Sequence, residues 1–274
     1  MTAQTHTFPP PLERSYPVVD GKVVTRSLEA HVVDHCNLTC AECCSLSPYL
    51  PHWQVEPAAL ARDLAHAARI LSPRAFKLVG GEPLLHPQLV ELVELVRASR
   101  IAPRISITTN GLLLERTPDA LWEAIDGLTI SLYPRPALAP ASRAAIEERA
   151  ARFDVALNWK QQDEFVVMTR PSRIDDVATT AATYDGCWIR ERCHLLRAGR
   201  FYACPRPPHL QAYHRGALDF TGDGLALDAA TAPEILAYLN RAQPLEACAH
   251  CFGGSNVMQP HRLLMRDELL RGRP

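Results

Sequence analysis

Three cysteines in the early part of the chain have the clearest potential for chemistry. Cys36, Cys40 and Cys43 have the spacing C-x3-C-x2-C and follow an apolar run, residues 30–33, that predicts a buried strand. Three thiolates can hold three irons of a 4Fe–4S cube and leave the fourth iron without a protein ligand. An open metal position is where a substrate or cofactor can bind. The triplet therefore predicts a reactive metal centre, with a zinc knuckle or a disulfide cluster as alternatives.

Two further motifs follow later predicted strands. Gly-Gly-Glu-Pro occupies residues 80–83 and follows an apolar run at 75–79. Thr-Thr-Asn-Gly occupies residues 108–111, at the end of a second run that begins at residue 104. Glycine lets the backbone approach a ligand closely, and a neighbouring carboxylate can pair with an ammonium group. Each motif alone is also compatible with an ordinary turn, because Asn-Gly is a common turn dipeptide.

The elements that would position these motifs alternate between strands and helices. Strands are predicted at 32–33, 75–79, 104–109, 128–132, 155–159 and 165–168, and helices at 57–71, 89–96, 121–125, 141–152 and 233–240. This alternation predicts an α/β fold with parallel strands, a partial (β/α)6 TIM-like barrel, whose site gathers at the carboxyl ends of the strands. The linker at 160–164 is too short for a crossover helix, which makes the sixth strand the weakest part of this prediction.

The cysteine spacing, the Gly-Gly-Glu-Pro motif about forty residues later and the Thr-Asn-Gly turn together resemble the radical S-adenosylmethionine (SAM) superfamily over residues 29–131. The resemblance implies that the amino and carboxylate groups of SAM chelate the open iron. It also implies that a low-potential electron, from a flavodoxin or ferredoxin, cleaves SAM to a 5′-deoxyadenosyl radical. The positions that it assigns to SAM are Gly80, Gly81, Glu82, Pro83, Thr109, Asn110, Ser131 and Lys160. For Ser131 the alternative is a strand serine bonded to the backbone, and for Lys160 it is a solvated lysine.

A second group of cysteines lies beyond residue 183. Its members are Cys187, Cys193, Cys204, Cys248 and Cys251. The pattern C-x11-G-x4-C from Cys187, with the later C-x2-C pair, resembles the twitch domain, a short relative of the SPASM domain that binds an auxiliary 4Fe–4S cluster through four cysteines. A structural zinc site is the alternative, since zinc uses the same donors.

Seven ligands out of nine cysteines leave two spare thiols. The family spacing favours Cys187 over Cys193 as the first auxiliary ligand, together with Cys204, Cys248 and Cys251. Cys193 and Cys44 then become candidate hydrogen-atom donors, the role that a spare cysteine has in radical SAM epimerases. The alternative is that they are inert buried cysteines.

The composition of the chain argues against several classes of function. The 274 residues carry a net charge of −1, which gives no broad field for attracting nucleic acid or an acidic membrane. We find no signal peptide and no apolar stretch near the ~18 residues of a membrane span. Nine cysteines without an export signal favour metal or redox chemistry in the cytoplasm. The predicted organisation is a lead at 1–27, a partial barrel at 28–183 and a twitch-like domain at 184–274.

The expected activity follows from this organisation. The twitch arrangement resembles radical SAM dehydrogenases that oxidise a ring alcohol of an aminocyclitol. We therefore expect an oxidoreductase for a small polar substrate, of sugar or cyclitol type, that uses the auxiliary cluster. Arg135 is a candidate substrate contact, with an exposed loop arginine as the alternative. Other hypotheses are an epimerase or peptide-modifying enzyme with a cysteine hydrogen donor, and a non-catalytic iron–sulfur or zinc binding module.

Overall fold

The computed structural model describes residues 15–272, so residues 1–14 of the predicted lead lie outside the described residues. The strands are β1 (Val18–Val19), β2 (Lys22–Val23), β3 (Leu28–Val33), β4 (Phe76–Gly80), β5 (Ile105–Thr109), β6 (Gly127–Leu132), β7 (Ala156–Gln161), β8 (Glu164–Val166), β9 (His194–Arg197), β10 (Arg200–Tyr202), β11 (Leu225–Ala226) and β12 (Met258–Pro260). The helices are α1 (Pro57–Ile70), α2 (Leu89–Ser99), α3 (Asp119–Ala124), α4 (Pro140–Arg152), α5 (Val177–Asp185), α6 (Ile189–Arg192), α7 (Arg206–Tyr213), α8 (Ala232–Leu239) and α9 (Arg266–Arg271).

The main sheet of the described residues has eight strands in the order β11-β10-β9-β3-β4-β5-β6-β7. The six strands from β9 to β7 in that order are parallel, and β10 and β11 extend the edge beyond β9 in antiparallel fashion. Helices α1 to α4 connect the parallel strands from β3 to β7. The predicted α/β class with a partial barrel of parallel strands is confirmed.

The identity of the sixth parallel strand was predicted wrongly. Residues 164–166 form β8, which lies outside the main sheet and pairs antiparallel with β12. The few residues between β7 and β8 cannot hold the crossover that a parallel neighbour requires. The free edge of β3 is instead paired by β9, with Leu28 opposite His194.

The predicted boundary at residue 184 is not a break in the structure. It falls inside α5, and strands β9 to β11, which lie beyond it, belong to the main sheet. The two predicted domains therefore share one sheet, because β9 hydrogen-bonds to β3. A separate cluster-binding module in the second part of the chain stays a prediction.

The two faces of the parallel sheet differ in polarity. Leu28, Phe76 and Ile107 are fully buried on the face that the helices cover, where they share one core with residues of α1 and α2. The alternate positions face the barrel interior and include polar side chains such as Glu29 and Lys77, which form an ion pair at 2.8 Å. Within residues 15–272, none of the helices is long and apolar enough to cross a membrane.

Candidate functional site

The three cysteines of the first motif lie on one loop after β3. We call residues 34–46 the cluster loop. Burial raises the pKa of Cys36 to about 11, and burial together with neighbouring thiols raises the pKa of Cys40 and of Cys43 to about 12. All nine cysteines lie within the described residues and are free, so the disulfide alternative is not realised in the structure. Thiols that oppose each other's ionisation are stabilised as thiolates when a metal cation binds between them.

The spacing of these donors bears on the kind of metal centre. Within residues 15–272, no group of three or more His, Cys, Asp or Glu side chains is arranged to hold a metal ion. A 4Fe–4S cube binds each thiolate to a different iron, so its ligands surround a larger object than a single ion. The thiols of Cys36, Cys40 and Cys43 lie close enough to raise one another's pKa, as the ligands of one cluster would.

The Gly-Gly-Glu-Pro turn packs directly against the cluster loop. The amide of Gly81 donates to the carbonyl of Val33 at 2.9 Å, and the amide of Glu82 donates to that of His35 at 3.1 Å. A Cβ on Gly81 would lie 2.0 Å from the carbonyl oxygen of His35, and one on Gly80 would lie 2.3 Å from that of Val33. We expected these glycines to let the backbone approach a ligand. In the structure they let it approach the cluster loop.

Glu82 links two of the predicted motifs through hydrogen bonds. Its side chain is fully buried, and its carboxylate accepts hydrogen bonds from the Thr109 hydroxyl at 2.7 Å and the Asn110 amide at 2.8 Å. A third bond comes from the amide of Leu84 at 3.1 Å. Burial raises the pKa of this carboxyl group. The predicted contact of Glu82 with the ammonium group of SAM stays a prediction.

The Thr-Asn-Gly turn reaches the cluster loop through its asparagine. The Asn110 side-chain amide donates to the side-chain oxygen of Asn37 at 2.7 Å and lies 4.0 Å from the sulfur of Cys36. Thr109 accepts a hydrogen bond from the amide of Gly111, which has a φ of 79°. The structure thus brings the ends of β3, β4 and β5 into one hydrogen-bonded network, as the three motifs predicted.

The remaining SAM-site and substrate residues lie on or after β6 and β7. Ser131 is buried and hydrogen-bonds to the side chain of Tyr133. Lys160 is exposed on β7 and pairs in register with Ser131, so the two residues are neighbours on one face of the sheet. Arg135 is exposed in the loop after β6. The SAM and substrate contacts of these three residues stay predictions.

Four of the five later cysteines converge on one cavity. The cavity is lined by thirteen residues, and its cysteines are Cys187, Cys204, Cys248 and Cys251. Cys193 is not among them. It immediately precedes β9, close to the Glu29–Lys77 pair, and burial raises the pKa of its thiol to about 12. The geometry therefore groups Cys187, rather than Cys193, with the other three, in agreement with the spacing argument.

Two buried arginines form part of the wall of this four-cysteine cavity. Arg206 is 2% exposed and donates to the carbonyl of Cys44 at 2.8 Å and to the hydroxyl of Thr169 at 2.7 Å. Arg190 is 4% exposed and donates to the carbonyl of Tyr184 at 3.1 Å. Buried cations are costly unless anionic groups compensate them. Four thiolates around an iron–sulfur cluster carry net negative charge, which suits the two arginines in the wall. The carboxylate of Glu42 also interacts electrostatically with Arg206.

The structure adds residues that the sequence did not reveal. His261 places its Nε2 atom 3.2 Å from the sulfur of Cys40, although 221 positions separate the two residues. Its ring stacks on Tyr133 with the centroids 4.8 Å apart. Asn37 and Arg206 were also missed. No local pattern marks any of these residues, because each is defined by a contact with a distant part of the chain.

The fold and the site together define a class of protein: an α/β partial barrel with a cysteine loop, a glycine-rich turn and an asparagine turn at the carboxyl edge of its strands. Residues 31–133, from within β3 to just after β6, match the Radical SAM superfamily. This segment of the chain is a radical SAM domain.

Curated relatives match part of the chain. GTP 3′,8-cyclase of Chlorobaculum tepidum is 38% identical over 102 residues, which are 37% of this chain and 31% of that protein. GTP 3′,8-cyclase of Streptomyces coelicolor is 37% identical over 118 residues, 41% of this chain and 34% of that protein. The chain thus spans about a third of the length of the curated relatives that it matches.

A solved structure matches a larger share of the chain. The crystal structure of BtrN in complex with AdoMet and 2-DOIA has a TM-score of 0.50 and 17% sequence identity, and the match covers 79% of this chain and 82% of BtrN. At this identity the likeness shows the fold. It supports the partial barrel described above.

Proposed function

We propose that the protein is a radical SAM oxidoreductase that abstracts a hydrogen atom from a small polar substrate, of sugar or cyclitol type, and oxidises it with the help of an auxiliary 4Fe–4S cluster. One observation carries the proposal: the fold gathers the cysteines into two separate sets. One set is the triplet of the cluster loop, and the other is the four thiols of the second cavity.

The two sets have different coordination capacities. Cys36, Cys40 and Cys43 would hold a cluster with one open iron, and the four cavity cysteines would saturate the other cluster. When bound, the first cluster supplies the electron that cleaves SAM to methionine and a 5′-deoxyadenosyl radical, and the second accepts the electron that the substrate loses as it is oxidised. The chain's own contribution is to position these groups and the substrate.

Positioning of SAM would fall to the network between strand ends. The Gly-Gly-Glu-Pro turn lies against the cluster loop, so a ligand on the open iron would lie beside it. Glu82 fixes the Thr109–Gly111 turn at the next strand, and Asn110 links that turn to the loop. A site held by this many internal hydrogen bonds is preorganised, which lowers the cost of orienting the reactive ligand.

The barrel interior supports a polar substrate. Thr108, Thr129 and Asn158 are adjacent in register on β5, β6 and β7, and the Asn158 side-chain amide donates to the Thr129 hydroxyl at 3.3 Å. Ser106 and Ser131 share this interior face by strand alternation. Hydroxyl and amide groups can hydrogen-bond to the hydroxyl groups of a sugar or cyclitol.

The curated relatives favour a second candidate, a radical cyclisation that acts on a nucleotide, since they are named GTP 3′,8-cyclases. Their similarity covers 35–42% of this chain. The radical SAM match covers residues 31–133, which carry the cysteine triplet and the turns around it. The identity in this part supports shared SAM chemistry more strongly than a shared substrate.

Anaerobic reconstitution with iron and sulfide tests the proposal. We expect about eight irons per chain and, with dithionite and SAM, formation of 5′-deoxyadenosine. Cys40→Ala should lose about half of the iron and all SAM cleavage. Cys204→Ala should lose about half of the iron and keep SAM cleavage. Cys44→Ala is the matched control and should keep all of the iron. A reconstituted wild type that cleaves no SAM would contradict the proposal and favour the hypothesis of a non-catalytic binding module.

Substrate assays separate the reactions. With substrate deuterated at the reacting carbon, oxidation transfers deuterium to 5′-deoxyadenosine, consumes one SAM per product and brings no solvent hydrogen into the product. Epimerisation would introduce solvent hydrogen, and Cys193→Ala or Cys44→Ala would stop it. Turnover of GTP, with none for cyclitols or sugars, would establish the second candidate instead.

A further inference from the structure

The chain returns to the cluster loop after β12. We call residues 258–264 the return segment. Its first three residues, 258–260, are β12 and pair with β8. Its last residues pair with the cluster loop: the amide of Ala41 donates to the carbonyl of Arg262 at 2.9 Å, and the amide of Leu264 donates to that of Thr39 at 2.8 Å. The segment therefore bridges the barrel and the loop through its backbone.

His261 lies between these two anchored parts. Its backbone amide donates to the carbonyl of Asp163 at 2.7 Å, on the β8 side of the bridge. Its ring lies against Tyr133, at 4.8 Å between centroids, and Phe165, at 5.3 Å. Backbone and ring are thus both fixed, and the Nε2 atom comes to 3.2 Å from the sulfur of Cys40.

The chemistry of an iron-bound thiolate sets the direction of this hydrogen bond. A thiolate on iron carries no proton and can only accept, so the imidazole must donate from Nε2. In the neutral ring the other nitrogen, Nδ1, then carries no hydrogen. This agrees with its surroundings, since Nδ1 of His261 is buried with no hydrogen-bond partner among the described residues.

We infer that His261 is a positioning residue for the SAM-binding cluster, which donates a hydrogen bond to the thiolate of Cys40 and thereby raises the cluster's reduction potential. The inference rests on the proposed function, because it requires a cluster at the cysteine triplet. A hydrogen bond to a ligating sulfur stabilises the reduced cluster more than the oxidised one, since the reduced cluster carries one more negative charge. Residues that hydrogen-bond to metal ligands commonly orient those ligands and tune the metal centre.

Three variants test the inference in the full-length reconstituted protein. His261→Phe keeps an aromatic ring against Tyr133 and Phe165 but removes the N–H donor. His261→Gln keeps a donor. His66→Phe is the control, since His66 is on α1 and contacts Arg69. The measurement is a redox titration followed by electron paramagnetic resonance, read on the signal that changes when SAM is added, so that it reports the SAM-binding cluster alone.

We expect the midpoint potential of that signal to fall in His261→Phe and to stay near the wild-type value in His261→Gln and in His66→Phe. An unchanged potential in His261→Phe would overturn the inference, as would equal falls in the Phe and Gln variants. Loss of iron from both His261 variants would show a structural role and would also overturn it. If the wild type gave no signal that responds to SAM, the proposed function itself would fail, and the two failures are therefore distinguishable.

Discussion

The cluster loop and the four-cysteine cavity hold their cysteines by different means. In the cluster loop the three cysteines of the first motif lie within residues 36–43, and main-chain hydrogen bonds and glycine contacts from neighbouring strand ends position the loop. In the cavity they are spread over residues 187–251, and buried arginines form part of the wall. Close backbone packing therefore positions the first site, whereas charged side chains form part of the wall of the second.

The largest effect should come from breaking the backbone packing of the first site. In Gly81→Ala the new Cβ would lie 2.0 Å from the carbonyl oxygen of His35, and a backbone atom cannot move away cheaply. We expect a loss of about 4 kcal/mol in the free energy of unfolding, measured with urea, together with loss of iron from the cluster loop. Gly222→Ala is the matched control, because a Cβ there has no neighbour within 4 Å, and its cost should stay below about 0.5 kcal/mol. If Gly81→Ala and Gly222→Ala lowered the free energy of unfolding equally, close backbone packing would not be what holds the first site.

The next effect concerns the charges of the second site, and its size should depend on whether the metal is bound. In Arg206→Met the metal-loaded protein loses a buried cation beside four thiolates, and we expect it to be destabilised by about 3 kcal/mol. In the metal-free protein the thiols are neutral, so removal of a buried charge should cost much less. Arg200→Met on β10 provides the comparison, since Arg200 donates to the carbonyl of Gly224 and does not line the cavity. Its cost should be the same in both forms, as measured by thermal unfolding. If Arg206→Met destabilised the metal-loaded and the metal-free protein equally, the charge argument would be contradicted.

Acid should weaken the second region through His194. This side chain is fully buried, its Nδ1 lies 3.1 Å from the carbonyl of Ala203 next to Cys204, and burial lowers its pKa to about 4 from 6.5. The unfolded chain therefore binds the proton more readily, and the stability that neutral His194 contributes is lost as the pH falls from 6.5 toward 4. Between about pH 7 and pH 5 the loss should be about 2 kcal/mol.

Urea unfolding at several pH values measures this slope. His194→Asn keeps a hydrogen-bond donor and does not titrate, so the slope should flatten by the same amount. Hydrogen exchange should show the acid effect around residues 194–204 before it appears in β4 and β5. A slope that the substitution leaves unchanged would assign the acid sensitivity to other groups.

The smallest effect is expected at Arg135, which is exposed in the loop after β6. Arg135→Ala should change the unfolding free energy by less than about 0.5 kcal/mol and leave SAM cleavage without substrate unchanged. If the predicted substrate contact is correct, KM for the substrate should rise while the rate of 5′-deoxyadenosine formation without substrate stays constant. An unchanged KM would exclude Arg135 from the substrate site.

The sequence predicted the parts of the molecule that local patterns determine. The helix expected at 57–71 is found at Pro57–Ile70, and the strand expected at 75–79 is found at Phe76–Gly80, because apolar periodicity and proline placement act over a few residues. The three motifs also met as expected, since the carboxyl ends of adjacent parallel strands share one edge.

The errors concern long-range pairing. The sixth parallel strand was assigned to 165–168, whereas β9 pairs with β3, with His194 opposite Leu28. Nothing near His194 in sequence indicates that the edge of β3 is free. The hydrogen bond from Thr109 to Glu82 was missed for the same reason, because it joins the ends of two strands that are 27 positions apart.

The return segment has a consequence for the order in which the protein is assembled. During translation, Cys40 is made 221 positions before His261. Throughout that interval the cluster loop lacks the return segment, whose backbone pairs with Thr39 and Ala41 in the complete chain. After this pairing Cys40 is buried, while Cys36 and Cys43 keep part of their surface exposed. The cluster loop can therefore reach its final backbone pairing only after residue 264 has been made.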